Sequence, residues 1–195
     1  MRFRSSVRAS GALLFASAGN DGQNVDGEDC FLGICWEHTW HTPCENAGVI
    51  CVGGLRWDSK NRAGNSNYGP ESVDIFAPYT VYSGQSPAAP GGDTTAGVIN
   101  GTSFSSPYAA SVAALIWASD PTLNANQVWT IMRDTAHSSP DGRVNRYVNA
   151  YQAVLSAIGV GVDVELTAPT SGGTYDKGFP VRLNARVGYV AIADG

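Results

Sequence analysis

Asn100-Gly101-Thr102-Ser103-Phe104-Ser105-Ser106-Pro107-Tyr108-Ala109-Ala110 sets a serine between a small-residue turn and the start of an apolar helix. Nucleophilic chemistry favours that placement. The hydroxyl is held at a sharp helix entry, where free N–H groups and the positive end of the helix dipole face a developing oxyanion. The same residues also suit a plain helix cap, since Ser and Thr commonly precede an apolar helix for that purpose. The run predicts a helix reaching about Ser119, with Pro107 in the first turn, where proline is tolerated. Asp120-Pro121 breaks it, and Asn124 is placed to cap a second helix ending near His137.

A second segment gives the serine its context. Leu13-Leu14-Phe15-Ala16-Ser17-Ala18-Gly19-Asn20-Asp21-Gly22 reads as a short buried strand ending in a turn, of the kind a parallel sheet covers on both faces. Alone, Asn20-Asp21-Gly22 is ordinary turn chemistry. Together with Gly-Thr-Ser-Phe-Ser-Ser-Pro it resembles the subtilisin-like serine proteases (subtilases). In that motif Met and Ala usually follow the nucleophile and Pro stands four places beyond it. Pro107 keeps its place, while Phe104 and Ser105 replace the other two. The resemblance implies that Ser103 is the nucleophile and that the Asn20 side chain donates to the oxyanion beside the Ser103 N–H. It implies that Ser17, Ala18 and Gly19 form one wall of a substrate pocket, with Gly101 and Thr102 also on the substrate-binding side. Gly48 to Gly54, Ser66-Asn67-Tyr68-Gly69, Val73 to Pro78 and Val148 to Val154 extend the likeness over residues 5–158. The implied fold is α/β, a partial subtilisin-like parallel sheet flanked by helices.

A serine hydroxyl needs a base, and the base needs an orienting partner. In subtilases the Asp and His of the triad precede the Ala-Gly-Asn turn. Here residues 1–19 contain no His, Asp or Glu, and the Ser-Leu-Gly strand of the opposite pocket wall is also missing. The expectation is the Ser-containing half of a subtilase catalytic domain over residues 1–159, not competent for normal proteolysis alone. Two other readings stay open: a small serine esterase drawing its base from His38, His41 or His137, and a non-catalytic binding module with a vestigial site.

Cys30, Cys35, Cys44 and Cys51 follow the spacing C-x4-C-x8-C-x6-C. Their even number, their clustering and the secreted nature of most subtilases favour two disulfides, with three pairings open and Cys30–Cys35 plus Cys44–Cys51 preferred as local staples. A zinc site from Cys30, Cys35, His38 and His41 is the competing reading, weakened by the lack of a C-x2-C knuckle. Trp36 and Trp40 are expected to cover the stapled loop. Calcium is common in subtilases, yet no Asp/Glu cluster singles out a site, so no cofactor or metal is assigned.

The net charge of −5 favours neither nucleic acid nor an anionic membrane. No apolar run is long enough to span a bilayer. The basic start, the apolar Ala9–Phe15 and the small residues Ala16-Ser17-Ala18 have the layout of a secretory signal. Reading residues 5–20 as part of the domain is preferred, because cleavage would delete the strand before Asn20. The resemblance implies a secreted parent protein acting on polypeptides. Val160 to Ala168 alternates as a strand, Pro169 to Tyr175 is a turn, and Phe179 to Ala185 is a second strand candidate. This tail, residues 160–195, resembles the first strands of bacterial immunoglobulin-like modules. Loss of the leading strands is expected to leave a sheet edge open for self-association or for another chain.

Overall fold

In the computed structural model, the residues described are 11–27, 29–31, 34–36, 41–84, 96–168 and 184–191. The centre is a parallel three-stranded sheet in the order β1–β4–β5, built from β1 (Leu14–Ser17), β4 (Val49–Leu55) and β5 (Ile75–Pro78). Its register aligns Ala16 with Cys51 and Val52 with Ile75. Antiparallel pairs accompany it: β2 (Asp29–Phe31) with β3 (Ile34–Trp36), β6 (Thr80–Gly84) with β7 (Ala96–Asn100), and β8 (Val160–Ala168) with β9 (Asn184–Ala191). Three helices follow β7 in the chain: α1 (Thr102–Ser119), α2 (Ala125–Asp134) and α3 (Ala150–Ala157).

The period-two alternation of the strands splits the core in two. Ile50, Val52, Ile75 and Ala77 point to one face, where they meet Ala109, Val112, Ala113 and Ile116 of α1, Val128 and Met132 of α2, and Ala153 of α3. Cys51 and Phe76 point to the other face and pack with Ala16, Ala18, Val25, Val73 and Val144. Each fully buried Val, Ile, Met or Phe side chain contributes about 1.5–3 kcal/mol by leaving water. The disulfide Cys44–Cys51 lies on that second face and ties the segment before β4 to the middle of the strand. Backbone register sets Cys30 opposite Cys35 across β2 and β3.

Several expectations change. Strand β1 is parallel but not covered on both faces, for Leu14 is 39% exposed. It pairs only with β4 among the described residues, so it is an outer strand. Helix α1 begins at Thr102, which puts Pro107 at its sixth position, inside the helix rather than in the first turn. Proline there has no N–H for the carbonyl four residues back, so the Ser103 carbonyl lacks its usual helical donor. Helix α2 stops at Asp134, short of His137, because His137 instead exchanges backbone hydrogen bonds with Tyr147. In the tail β8 spans Val160–Ala168 as the alternation predicts, but its partner runs Asn184–Ala191, later than the expected strand. The Pro169 to Tyr175 turn, Phe179 to Leu183, residues 1–10, and the side chains of Cys30, Cys35, Trp36, His38 and Trp40 lie outside the described residues.

Candidate active site

The carboxyl ends of β1, β4 and β5 meet the N-terminus of α1, the position where parallel α/β sheets place their ligands. After Ser17 the chain turns sharply at Gly19, whose φ of +100° is a left-handed conformation that L side chains rarely adopt. The turn is fastened at several points. Ala18 N–H donates to Val52 O at 3.0 Å, and Asn67 N–H donates to Gly19 O at 3.0 Å. The Asn67 side chain, fully buried, donates from Nδ2 to Ala18 O and accepts at Oδ1 from the N–H groups of Asp21 and Gln23, each at 3.0 Å.

From the other side, β7 delivers Gly101, with φ +147°, as the residue before α1. Its N–H donates to Tyr79 O at 2.9 Å, and Ser105 Oγ donates to Pro78 O at 3.0 Å, so the helix entry is tied to the end of β5. The first three N–H groups of α1 then have different fates. Thr102 N–H donates to Asn20 Oδ1 at 2.9 Å, and Phe104 N–H donates to Gly101 O at 3.0 Å. The Ser103 N–H, between them, has no partner among the described residues. Gly101 supplies no side-chain cap, and no acidic residue sits in the first turn.

The Asn20 amide is oriented by chemistry. Its Oδ1 accepts from both Thr102 N–H and the Thr102 hydroxyl, at 2.9 and 3.0 Å, and that hydroxyl in turn accepts from Gly19 N–H at 3.2 Å. With the oxygen held inward, Nδ2 is turned outward. A Cβ placed on Gly101 would lie 3.7 Å from Asn20 Nδ2 and 3.8 Å from Ser103 N, so both nitrogens border the same space in front of Gly101. Ser103 and Asn20 are solvent-exposed, as substrate access requires. A cleft of about 310 Å³ borders Ser103 and is lined by Phe15, Ser17, Pro43, Ser106 and Pro107.

The sequence-predicted residues divide accordingly. Ser17 lines the cleft and Gly19 shapes the turn. The Thr102 side chain is fully buried and bonded to Asn20 and Gly19. Ala18 is similarly buried, at 2% exposure. Ser103 Oγ has no hydrogen-bonded base among the described residues. His137 packs its ring on Tyr147, with centroids 5.0 Å apart, and the His41 N–H donates to Glu45 Oε2 at 2.6 Å. Among the described residues no group of three or more His, Cys, Asp or Glu is arranged to hold a metal ion.

Sequence reasoning assigned no role to Asn67, Ser66 or Arg62. Ser66, also fully buried, accepts at Oγ from Gly54 N–H and donates to Asn67 O, both at 2.8 Å. Arg62 Nη1 donates to the carbonyls of Ala63, Gly64 and Ser66, while its guanidinium lies 4.6 Å from the Tyr68 ring centroid. Asp141 accepts from Arg62 N–H at 3.1 Å and from Arg143 Nε at 3.0 Å. Burial pushes the Asp141 carboxyl up, but the hydrogen bonds from Arg143 and from the Arg62 backbone outweigh it and hold the group below the usual carboxylate range. The available signal was a polar Ser-Asn pair in a glycine-flanked segment between two strands, too common to stand out.

Comparison with known proteins agrees with this geometry. The profile of the peptidase S8 subtilase family matches residues 2–161. Subtilisin DY of Bacillus licheniformis is 36% identical over 134 residues, which is 68% of this chain and 42% of that protein. An extracellular protease of Xanthomonas campestris pv. campestris is 33% identical over 158 residues, 76% of this chain and 24% of that protein. A solved structure of a protease from Pseudoalteromonas arctica superimposes with a TM-score of 0.58 at 25% identity, covering 77% of this chain and 44% of that one. The chain thus spans less than half the length of each of these three relatives. With a serine-bearing helix entry and an Asn-bearing turn on a parallel α/β sheet, and a family profile over residues 2–161, this chain belongs to the subtilase family.

Proposed function

We propose that this chain is the nucleophile-bearing part of a subtilisin-type serine endopeptidase of the secreted class. Ser103 Oγ attacks a peptide carbonyl. The negative charge that develops on the carbonyl oxygen is received by the Ser103 N–H and Asn20 Nδ2. The observation that carries this reading is that Asn20 Nδ2 and the Ser103 N–H, which has no partner among the described residues, border the same space in front of Gly101, beside an exposed serine. Oriented donors stabilise the tetrahedral species without reorganising at the moment of reaction.

On this reading the base is supplied from outside the sequence described, and the chain alone has at most the residual catalysis of a site lacking a triad member, about a few thousand-fold over water. The family acts on polypeptides, and a peptide entering the cleft passes Ser17 and Pro43. Residues 160–195 read as the opening strands of an immunoglobulin-like module following the domain of residues 1–159. The outer edge of β1, unpaired among the described residues, is the place for self-association or for a covering chain.

The test is labelling of the purified chain by a fluorophosphonate, with casein and p-nitrophenyl ester turnover alongside. Slow labelling that disappears in Ser103→Ala, with no casein cleavage, is the expected result. Casein cleavage lost in Ser103→Ala would overturn the claim that the base is absent. Labelling unaffected by Ser103→Ala would remove Ser103 as the nucleophile.

A further inference from the structure

Asn67 makes an unusual set of contacts for a side chain with no assigned role. It is fully buried, and all three of its side-chain hydrogen bonds go to the backbone immediately around Asn20: Ala18 O before it, Asp21 and Gln23 N–H after it. Its own N–H adds a fourth bond, to Gly19 O. The partners lie 44 to 49 residues away in sequence, so this is a tertiary clamp rather than local turn chemistry. A planar amide is the group that offers a donor on one side and a two-lone-pair acceptor on the other. The contact is tight, for a Cβ on Gly19 would stand 2.5 Å from Asn67 Nδ2. Asn67 is itself immobilised, since Ser66 joins it to Gly54 at the end of β4, and Arg62 holds the Ser66 carbonyl.

We propose that Asn67 is the positioning residue of the site: it grips the chain on both sides of Asn20 and thereby fixes the direction in which the Asn20 amide presents Nδ2. This rests on the reading of Asn20 as the oxyanion donor. Asn67 does not touch the reacting atoms. It acts through the turn, and the Asn20–Thr102 bond is the element that registers its action.

That bond gives the test a direct readout. Thr102 is the first residue of α1, where an N–H has no partner within the helix. Its protection from amide exchange therefore reports the bond to Asn20 Oδ1. In the full chain, Asn67→Ala is expected to lower Thr102 protection about tenfold while Ile116 and Val128, in the core, keep theirs. Fluorophosphonate labelling of Ser103 should slow by about the same factor. In an Asn20→Ala background Asn67→Ala should slow labelling no further. Unchanged Thr102 protection overturns the proposal. So does an equal loss of labelling rate in both backgrounds, the result expected of a merely structural residue. If Asn67→Ala fails to fold, Asn67→Asp serves instead. It keeps the acceptor for Asp21 and Gln23 and replaces only the donor to Ala18, so it should lower Thr102 protection while leaving that of Asp21 and Gln23. Labelling that persists in Ser103→Ala would sink the nucleophile reading, and the exchange measurement would still decide the role of Asn67.

Discussion

Helices α1 and α2 begin in opposite ways. Asn124 closes α2 with a reciprocal capping box: its side chain accepts from Asn126 and Gln127 N–H, and Gln127 Oε1 accepts from Asn124 N–H at 2.9 Å. Helix α1 starts from a glycine with no side chain to cap it. Asn20 takes the first N–H from across the cleft, and the second, on Ser103, is left open. A helix start with nothing to do but hold together satisfies its orphan donors from its own residues. The start that faces the cleft leaves one donor free and borrows its cap from a residue 82 positions away. Because Ser103 is exposed, that donor is open to water or to an incoming acceptor.

The contrast can be broken most sharply at Asn20. Asn20→Ala is expected to slow Ser103 acylation by about 100- to 1,000-fold, the usual cost of an oxyanion donor, with the melting temperature changing little. Fluorophosphonate kinetics beside thermal melts check this. A large stability loss with unchanged reactivity would make Asn20 a cap like any other. Next in size, Gly101→Ala strains a φ of +147° and is expected to cost about 1–3 kcal/mol of stability, read from urea midpoints. The new methyl also encroaches on the space shared by Asn20 Nδ2 and Ser103 N, so labelling should slow as well. The counterpart on α2, Asn124→Ala, should cost about 1 kcal/mol of stability and leave Ser103 reactivity unchanged. A change in labelling there would show that the two helix starts are coupled.

The smallest effect is one of pH. Asp141 is held below its ordinary value of 3.8, so its contribution to stability is complete above that value and is lost as pH falls through the lower folded one. Acid should therefore release Arg62 N–H and Arg143 first, loosening the segment that carries Ser66 and Asn67. Asp141→Asn should flatten the acid limb of the stability curve, measured by urea unfolding between pH 5 and pH 2. An unchanged limb would show that other carboxylates dominate it.

Local chemistry was legible in the chain. The apolar run before Asn20 gave β1, the Ser-bearing turn gave the start of α1, Asp120-Pro121 its end, and Asn124 the cap of α2, because each follows from a few adjacent residues. An open sheet edge was expected, but not that β1 forms it with Leu14 39% exposed, since the apolar run carries no sign of which neighbour covers it. The inward turn of the Thr102 side chain was not legible, since it depends on where the helix places that residue against the Asn20 turn. The clamp by Asn67 lay beyond reach for a different reason. It joins segments more than 40 residues apart, and only the parallel pairing of β1 with β4 brings them together.

The span of the Asn20–Thr102 hydrogen bond has a consequence for time as well as for geometry. Closing a contact between residues 82 apart requires the intervening strands to be in place, and long-range pairings form late because their loop entropy must be met first. Helix α1, made of local contacts, is free to form early with its serine attached. The bond from Thr102 to Asn20 is expected to close only when the sheet is complete. In pulse-labelled refolding, Thr102 should gain protection after Val128, so the serine is expected to be a mere surface hydroxyl during assembly and to become a reactive one at its close.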